Sequence, residues 1–167
     1  FGQLEEASNL LEKAEILVHS ELAEAGPTPD ALAKLGYFCY VKSRITAMRG
    51  DLEQAIKLCR TARTQVAPEN ITLQIDFTIT LGFEYFLLGD FENAGKMLNE
   101  TVRLGDMVEA VNNPVAAYCL LARLQRYQGH PSKAQDLLQR AGRLIFDPSR
   151  KYLGVFGLVE IERAALL

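Results

Sequence analysis

Apolar residues recur every three to four positions along this 167-residue chain, and that spacing predicts amphipathic helices. The pattern stops at glycine or proline and then starts again, which gives eight helices and no convincing strand. The predicted helices cover residues 3–25, 30–49, 52–67, 69–88, 91–105, 114–128, 132–146 and 150–167. Residues 106–113 fit either an extension of the fifth helix or a loop. The pattern therefore predicts an all-α fold.

A short sequence frame recurs at the breaks between these helices. The stretch from Gly89 to Ala94 reads GDFENA, and related stretches (GQLEEA, GDLEQA and, more loosely, GHPSKA) begin at Gly2, Gly50 and Gly129. The four glycines are 48, 39 and 40 residues apart, a period typical of helical-repeat arrays. Glycine tolerates the positive φ that ends a helix, and aspartate accepts the free N–H groups that begin the next one. Each frame therefore predicts a tight turn between two antiparallel helices.

Small residues occupy fixed positions relative to the repeat glycines. The fifth residue after each glycine is alanine, and the residues seven before and twelve after are small wherever the frame supplies them. These positions are Ala7, Ala55, Ala94 and Ala134, then Ser43, Gly82 and Ala122, and then Ala14, Ala62, Thr101 and Ala141. This combination resembles the tetratricopeptide repeat, with a period longer than the usual 34 residues. The resemblance implies a single domain over residues 1–167 that is a right-handed superhelix of antiparallel helix pairs, a TPR-like α-solenoid.

The longer period, together with the phrases GDLEQA from Gly50 and ARLQRYQG from Ala122, resembles the superhelical sensor region of LuxR-type, MalT-like bacterial transcription regulators. In that family an ATP-binding module precedes the helical repeats and a helix-turn-helix module follows them. The resemblance implies a non-catalytic effector-sensing and protein-interaction domain of a cytoplasmic regulator. The alternative is a general tetratricopeptide scaffold for protein–protein interaction in an unrelated pathway. The chain begins and ends inside a helical pattern, so we expect a fragment of a longer protein whose truncated ends can self-associate.

Charge and hydropathy narrow the range of partners. Eighteen Lys and Arg residues against 21 Asp and Glu residues give a net charge of −3, the wrong sign for a domain held to phosphates. We therefore expect no direct nucleic-acid binding by this segment. The resemblance to LuxR-type regulators implies that DNA binding lies elsewhere in the parent chain. No apolar run approaches the length of a membrane span, so we expect no membrane association.

Residues for catalysis or cofactor binding are sparse. Cys39, Cys59 and Cys119 lie far apart in apolar helical pattern, which indicates reduced core thiols rather than metal ligands. The only histidines are His19 and His130, and the chain has no phosphate-binding glycine loop. Acidic pairs such as the one at positions 160 and 162 are expected on solvated helix surfaces. We therefore predict no enzyme activity, no metal and no cofactor.

The inner, concave surface of the array is the predicted binding site. In a tetratricopeptide-like array the first helix of each pair lines this surface, and the repeat glycine sets the helical phase. The candidate binding residues are Tyr37, Tyr40, Arg44, Asp76, Phe83, Arg123, Arg126 and Tyr127. Rings stack and guanidinium groups hold carboxylates, so the expected partner is a small-molecule inducer or a regulatory protein or peptide. Core packing of the aromatic residues, or a merely solvated face, remains the alternative, and the three arginines at equivalent phase are the stronger candidates.

Overall fold

The computed structural model describes residues 2–145 and 156–166, and within them the chain is all-α. Its helices are α1 (Gly2–Ala25), α2 (Pro29–Met48), α3 (Leu52–Gln65), α4 (Ile71–Leu88), α5 (Phe91–Met107), α6 (Asn112–Tyr127), α7 (Pro131–Ile145) and α8 (Phe156–Ala164). The prediction of an all-α fold with about eight helices is confirmed. The predicted break at Asp147 and Pro148, and the predicted start of the last helix at residue 150, lie outside the described residues.

Three of the four glycine frames form the turns that they predict, whereas Gly2 is the first residue of α1. Gly50, Gly89 and Gly129 adopt φ angles of 93°, 84° and 79°, values that a side chain would strain. The side chains of Asp51 and Asp90 each accept a hydrogen bond at 3.1 Å from the backbone N–H three residues later. This bond satisfies one of the free donors at the start of the following helix. One helix therefore ends and its partner begins within two or three residues.

The helices joined by these turns pack as antiparallel pairs, α2 with α3, α4 with α5 and α6 with α7. In the second pair, Gly82 lies against Leu98, and Thr101 Oγ1 donates a hydrogen bond to Thr78 Oγ1 at 2.9 Å. From Thr78 to Gly82 the residue numbers rise along α4, whereas their partners on α5 fall from Thr101 to Leu98. The two helices are therefore antiparallel. The frame alanines of these three pairs, Ala55, Ala94 and Ala134, are at most 1% exposed. Small residues at these positions allow the two helices to approach closely.

Successive pairs contact each other through residues about one repeat apart. Ser43 bonds to Glu84, 41 positions later, and Arg63 of α3 pairs with Glu100 of α5, 37 positions later. Because α2, α4, α6 and α8 contact one another in succession, they form one layer, and α3, α5 and α7, which each pack against two helices of that layer, form the other. This arrangement agrees with a helical-repeat fold. The right-handed superhelical sense of the array stays a prediction.

The connection between α5 and α6 resolves the ambiguity of residues 106–113. Helix α5 continues to Met107, a loop covers residues 108–111, and α6 begins at Asn112 rather than at Pro114. Proline is tolerated here because the first turn of a helix has no intrahelical partner for its N–H. The Pro114 ring lies directly against Gly105, where an added Cβ would overlap the ring.

Helix α4 is the central helix of the described residues. By length and composition alone it is apolar enough to cross a membrane, with a mean hydropathy of 1.3 over its 18 residues. This corrects the expectation that no apolar run approaches the length of a span. Half of these residues are buried inside the protein, where α4 packs against α3, α5 and α6, as expected for a core helix. The absence of membrane association stays a prediction.

Candidate binding surface

The layer formed by α2, α4 and α6 exposes large apolar side chains near the predicted inner-surface residues. The exposed fractions are 53% for Tyr37, 68% for Met48, 43% for Phe83, 52% for Leu87 and 62% for Tyr127. Met48 and Leu87 occupy equivalent positions, two residues before a repeat glycine. We call this face of α2, α4 and α6 the inner surface.

Two pockets open on the inner surface, and Phe83 lines both of them. The first, the α2–α4 pocket, has a volume of about 180 Å³, and the second, the α6–α8 pocket, has a volume of about 210 Å³. Arg44, Ala47, Met48, Thr80, Phe83, Glu84 and Leu87 line the α2–α4 pocket. Phe83, Ala116, Cys119, Leu120, Arg123, Leu158 and Glu162 line the α6–α8 pocket. The inner surface therefore combines apolar walls with acidic and basic groups in each pocket.

Glu84 is the buried acid of the α2–α4 pocket. Its side chain is only 1% exposed, and its Oε1 accepts a hydrogen bond from Ser43 Oγ at 3.1 Å. Burial raises its pKa to about 7, although the Ser43 bond and the positive charge of Arg44 oppose the rise. Its Oε2 has no hydrogen-bond partner among the described residues, and neither has the hydroxyl of Thr80, one turn earlier. The pocket thus contains two buried polar atoms with unused bonding capacity.

Arg44 is the basic group of the same pocket. It is exposed, and its guanidinium carbon lies 5.9 Å from the centre of the Tyr40 ring. Within the part of the chain that the structure describes, it forms no ion pair. Burial raises the pKa of Asp76, while a hydrogen bond from Asn113 and the charge of Arg44 lower it. Of the three predicted arginines, Arg44 is the one whose charge faces the inner surface without a carboxylate partner in the described residues.

Arg123 and Arg126 instead bond to α8. Arg123 Nε donates to Glu162 Oε1 at 3.0 Å, and Arg126 Nη1 donates to the carbonyl oxygen of Ala165 at 2.9 Å. Arg126 Nη2 also lies 4.0 Å from Glu162 Oε2. Glu162 is 3% exposed, which corrects the expectation that this acid is solvated. A ligand anion at this end of the surface would have to compete with a carboxylate of the chain itself.

Of the aromatic residues among the predicted binding residues, some pack against the core and others are exposed to solvent. Tyr40 packs edge-on against the buried ring of Phe77, with ring centres 5.9 Å apart, so its ring serves the core. Tyr127 stacks on Phe86 at 5.8 Å yet stays mostly exposed. Tyr37 and Phe83 are exposed as well. The structure therefore brings Arg44 and Phe83 into one pocket, Phe83 and Arg123 into another, and places Tyr37 outside both.

The three cysteines are free thiols, and Cys59 and Cys119 are buried. Burial is the main cause that raises the pKa of both of these thiols to about 12. They are protonated near neutral pH and are weak nucleophiles for that reason. Among the described residues, no group of three His, Cys, Asp or Glu side chains is arranged to hold a metal ion.

Sequence reasoning did not identify Glu84 or Thr80 as site residues. Glu84 is the single charged residue between Asp76 and Asp90, in an otherwise apolar and threonine-rich stretch of α4. A lone acid in such a stretch must be buried with a partner or face a pocket. That signal was present in the sequence. The helical phase set by the repeat glycine, however, selected the neighbouring Phe83 for the inner surface and left Glu84 out of the candidate binding residues.

No protein-family model matches the chain, and no curated protein is significantly similar to it.

Proposed function

We propose that this chain is a non-catalytic helical-repeat binding domain that receives a partner on the inner surface. The exposure of Met48, Phe83 and Leu87 around one pocket carries this proposal. Contiguous exposed apolar side chains on a soluble domain mark interaction sites, because their burial by a partner is favourable. Arg44 adds a charged donor at the same place, which favours a partner with an anionic group beside an apolar one.

The proposed partner is a small-molecule inducer or a regulatory protein or peptide. Two pockets of about 180 and 210 Å³ suit small ligand groups or single side chains rather than large cofactors. The partly exposed ring of Phe83 lies between them, so one partner can contact both.

At a finer level, we propose that the domain is the sensor region of a cytoplasmic LuxR-type, MalT-like transcription regulator. The repeat phrases that begin at Gly50 and Ala122 support this assignment. Effector binding would shift the parent protein between resting and active states by its differential affinity for the two. The competing assignment is a general helical-repeat scaffold. The parent sequence separates them: an ATP-binding module before the repeats and a helix-turn-helix after them fit the regulator, and any other neighbours fit the scaffold.

A peptide selection tests the inner surface directly. Peptides of random sequence are selected for binding to the wild-type domain, and their dissociation constants are measured by fluorescence anisotropy. The Met48→Ser, Leu87→Ser double variant should weaken the selected peptides about tenfold or more, because central apolar contacts dominate such interfaces. Met107→Ser is the matched control, because Met107 is 60% exposed but lies on α5 in the other layer. Peptides that respond to Met107→Ser and ignore the double variant would refute the proposal.

A further inference from the structure

The α2–α4 pocket contains two buried polar atoms that have no hydrogen-bond partner among the described residues. Glu84 Oε2 and Thr80 Oγ1 lie one turn apart on α4, their side chains line the pocket, and the two residues are 1% and 4% exposed. A buried donor or acceptor without a partner costs about 1–3 kcal/mol, so such atoms are rare in native proteins. Two of them in one pocket indicate a place where a ligand completes the hydrogen bonding.

The charges of the pocket are arranged as an acid inside and a base at its mouth. Glu84 is buried, whereas Arg44 is exposed, and the two form no ion pair within 4.0 Å. The remaining lining is largely apolar and consists of Ala47, Met48, Phe83 and Leu87. A ligand that satisfies all of these groups carries a cation, an anion and a short apolar group.

The volume of the pocket indicates how large a ligand group can fill it. Its volume of about 180 Å³ is slightly larger than the roughly 150 Å³ cavity that holds benzene in an engineered protein. This volume suits a molecule of six to about nine heavy atoms, which is the size of one amino acid. A peptide or a nucleotide would have to lie mostly outside it.

We propose that the α2–α4 pocket binds a free α-amino acid with a small apolar side chain. Glu84 Oε2 and Thr80 Oγ1 have almost no accessible surface in the unliganded protein, so the pocket lining moves apart on binding, the ammonium group donates to both atoms, and the carboxylate accepts from Arg44. The apolar side chain lies against Phe83 and Leu87. This inference rests on the proposed function, because the pocket opens on the inner surface, and it names the ligand class of that site.

The ionisation of Glu84 links this binding to pH. From α2 the charge of Arg44 acts on it, and from α3 the Cys59 thiol faces it, protonated because burial raises its pKa to about 12. No titratable group of α5 or α6 acts on Glu84 within the described residues. With a pKa of about 7, Glu84 is mostly protonated at pH 6 and mostly ionised at pH 8. An ammonium ligand binds the ionised form, so its affinity should rise about tenfold from pH 6 to pH 8.

Isothermal titration calorimetry with L-leucine and two analogues tests the two charged contacts. At pH 7, leucinamide keeps the ammonium group but lacks the carboxylate, and 4-methylpentanoate keeps the carboxylate but lacks the ammonium group. L-Leucine should bind about tenfold more tightly than either analogue, since each lacks one charge-assisted contact. Equal binding of L-leucine and 4-methylpentanoate would overturn the proposal, and so would the absence of L-leucine binding at millimolar concentration.

Substitutions assign each contact to its residue. Glu84→Gln should weaken L-leucine about tenfold and abolish the pH dependence, while Arg44→Gln should reduce L-leucine to the level of leucinamide. The amide of Glu84→Gln can still accept the Ser43 hydrogen bond, so the variant should fold. Glu92→Gln is the control, because it removes the same charge from a side chain that is 80% exposed on α5. Unchanged L-leucine binding in Glu84→Gln would overturn the proposal.

The outcome is separable from that of the proposed function. If L-leucine does not bind but the selected peptides depend on Met48 and Leu87, the amino-acid site is wrong and the binding surface stands. If L-leucine binds in a Glu84-dependent way but no peptide depends on Met48 and Leu87, the pocket stands and the surface is not a peptide site.

Discussion

Replacing Glu84 with glutamine removes a carboxyl group that folding takes out of water. The ordinary pKa of this group is 4.5, and burial in the α2–α4 pocket raises it to about 7. Below pH 4.5 the carboxyl is protonated in both the folded and the unfolded chain, and its contribution to stability is fully present. As the pH rises toward 7, the unfolded chain ionises first, so the folded state loses stability. The loss is complete above pH 7 and corresponds to about 3 kcal/mol.

The Glu84→Gln variant should escape this loss. Near pH 4.5 its free energy of unfolding should match the wild type within about 1 kcal/mol, because the amide can still accept the Ser43 hydrogen bond. At pH 8 it should exceed the wild type by about 3 kcal/mol. All other ionisable groups are common to both proteins, so their contributions cancel in the difference.

Urea unfolding followed by circular dichroism at pH 4.5, 6, 7 and 8 measures this difference. Glu92→Gln serves as the control, because it removes the same charge from a side chain that is 80% exposed on α5. A flat difference for Glu84→Gln would refute the reasoning. So would a variant that is less stable than the wild type at pH 8, because the ionised carboxyl would then be stabilised rather than strained in the folded protein.

Two further predictions concern close packing and the α8 ion pair. Gly105→Ala should lower the free energy of unfolding by about 1–3 kcal/mol, because the new Cβ overlaps the rigid Pro114 ring. Gly95→Ala in the same helix meets no atom within 4 Å and should raise it by up to about 1 kcal/mol, so equal urea midpoints would contradict the contact. Arg123→Ala should cost about 2–3 kcal/mol, because it leaves the buried Glu162 with only the longer contact to Arg126. Adding Glu162→Gln should recover part of that loss in a double-mutant cycle, and additive losses would show that the two side chains are not coupled.

The helices and turns were predictable from the sequence because their signals are local. Asp90 and the glycine before it form a cap and a turn within a few residues, and neither depends on distant contacts. Helix bounds were less accurate near prolines. The third helix was predicted to reach residue 67 but ends at Gln65, because the residue before Pro68 is disfavoured in the helical conformation. The next helix begins at Ile71, where Asn70 provides the cap.

The site was predictable only in part. The hydrogen-bond partners of its side chains lie about forty positions away in the sequence, and the sequence near a residue does not indicate such a distant partner. The repeat phase placed Arg44 and Phe83 in one pocket, as expected for residues of the same face. The sequence could not show that Arg123 pairs with Glu162, since the pairing depends on how α8 docks on α6. It also could not show that one oxygen of Glu84 lacks a partner, because this depends on the spacing of α2 and α4.

Contacting residues of equivalent helices are separated by a nearly constant number of positions in the sequence. This separation limits which helices a ligand in one pocket can influence directly. No described hydrogen bond or ion pair between side chains joins residues more than 41 positions apart, and the longest is the one between Ser43 and Glu84. A change between α2 and α4 therefore has no direct bond to α8. The side chain of Phe83 is the exception to this separation, because it lines both the α2–α4 pocket and the pocket that contains Arg123 and Glu162. A ligand that moves the Phe83 ring in one pocket would therefore change the wall of the other without any hydrogen bond between them.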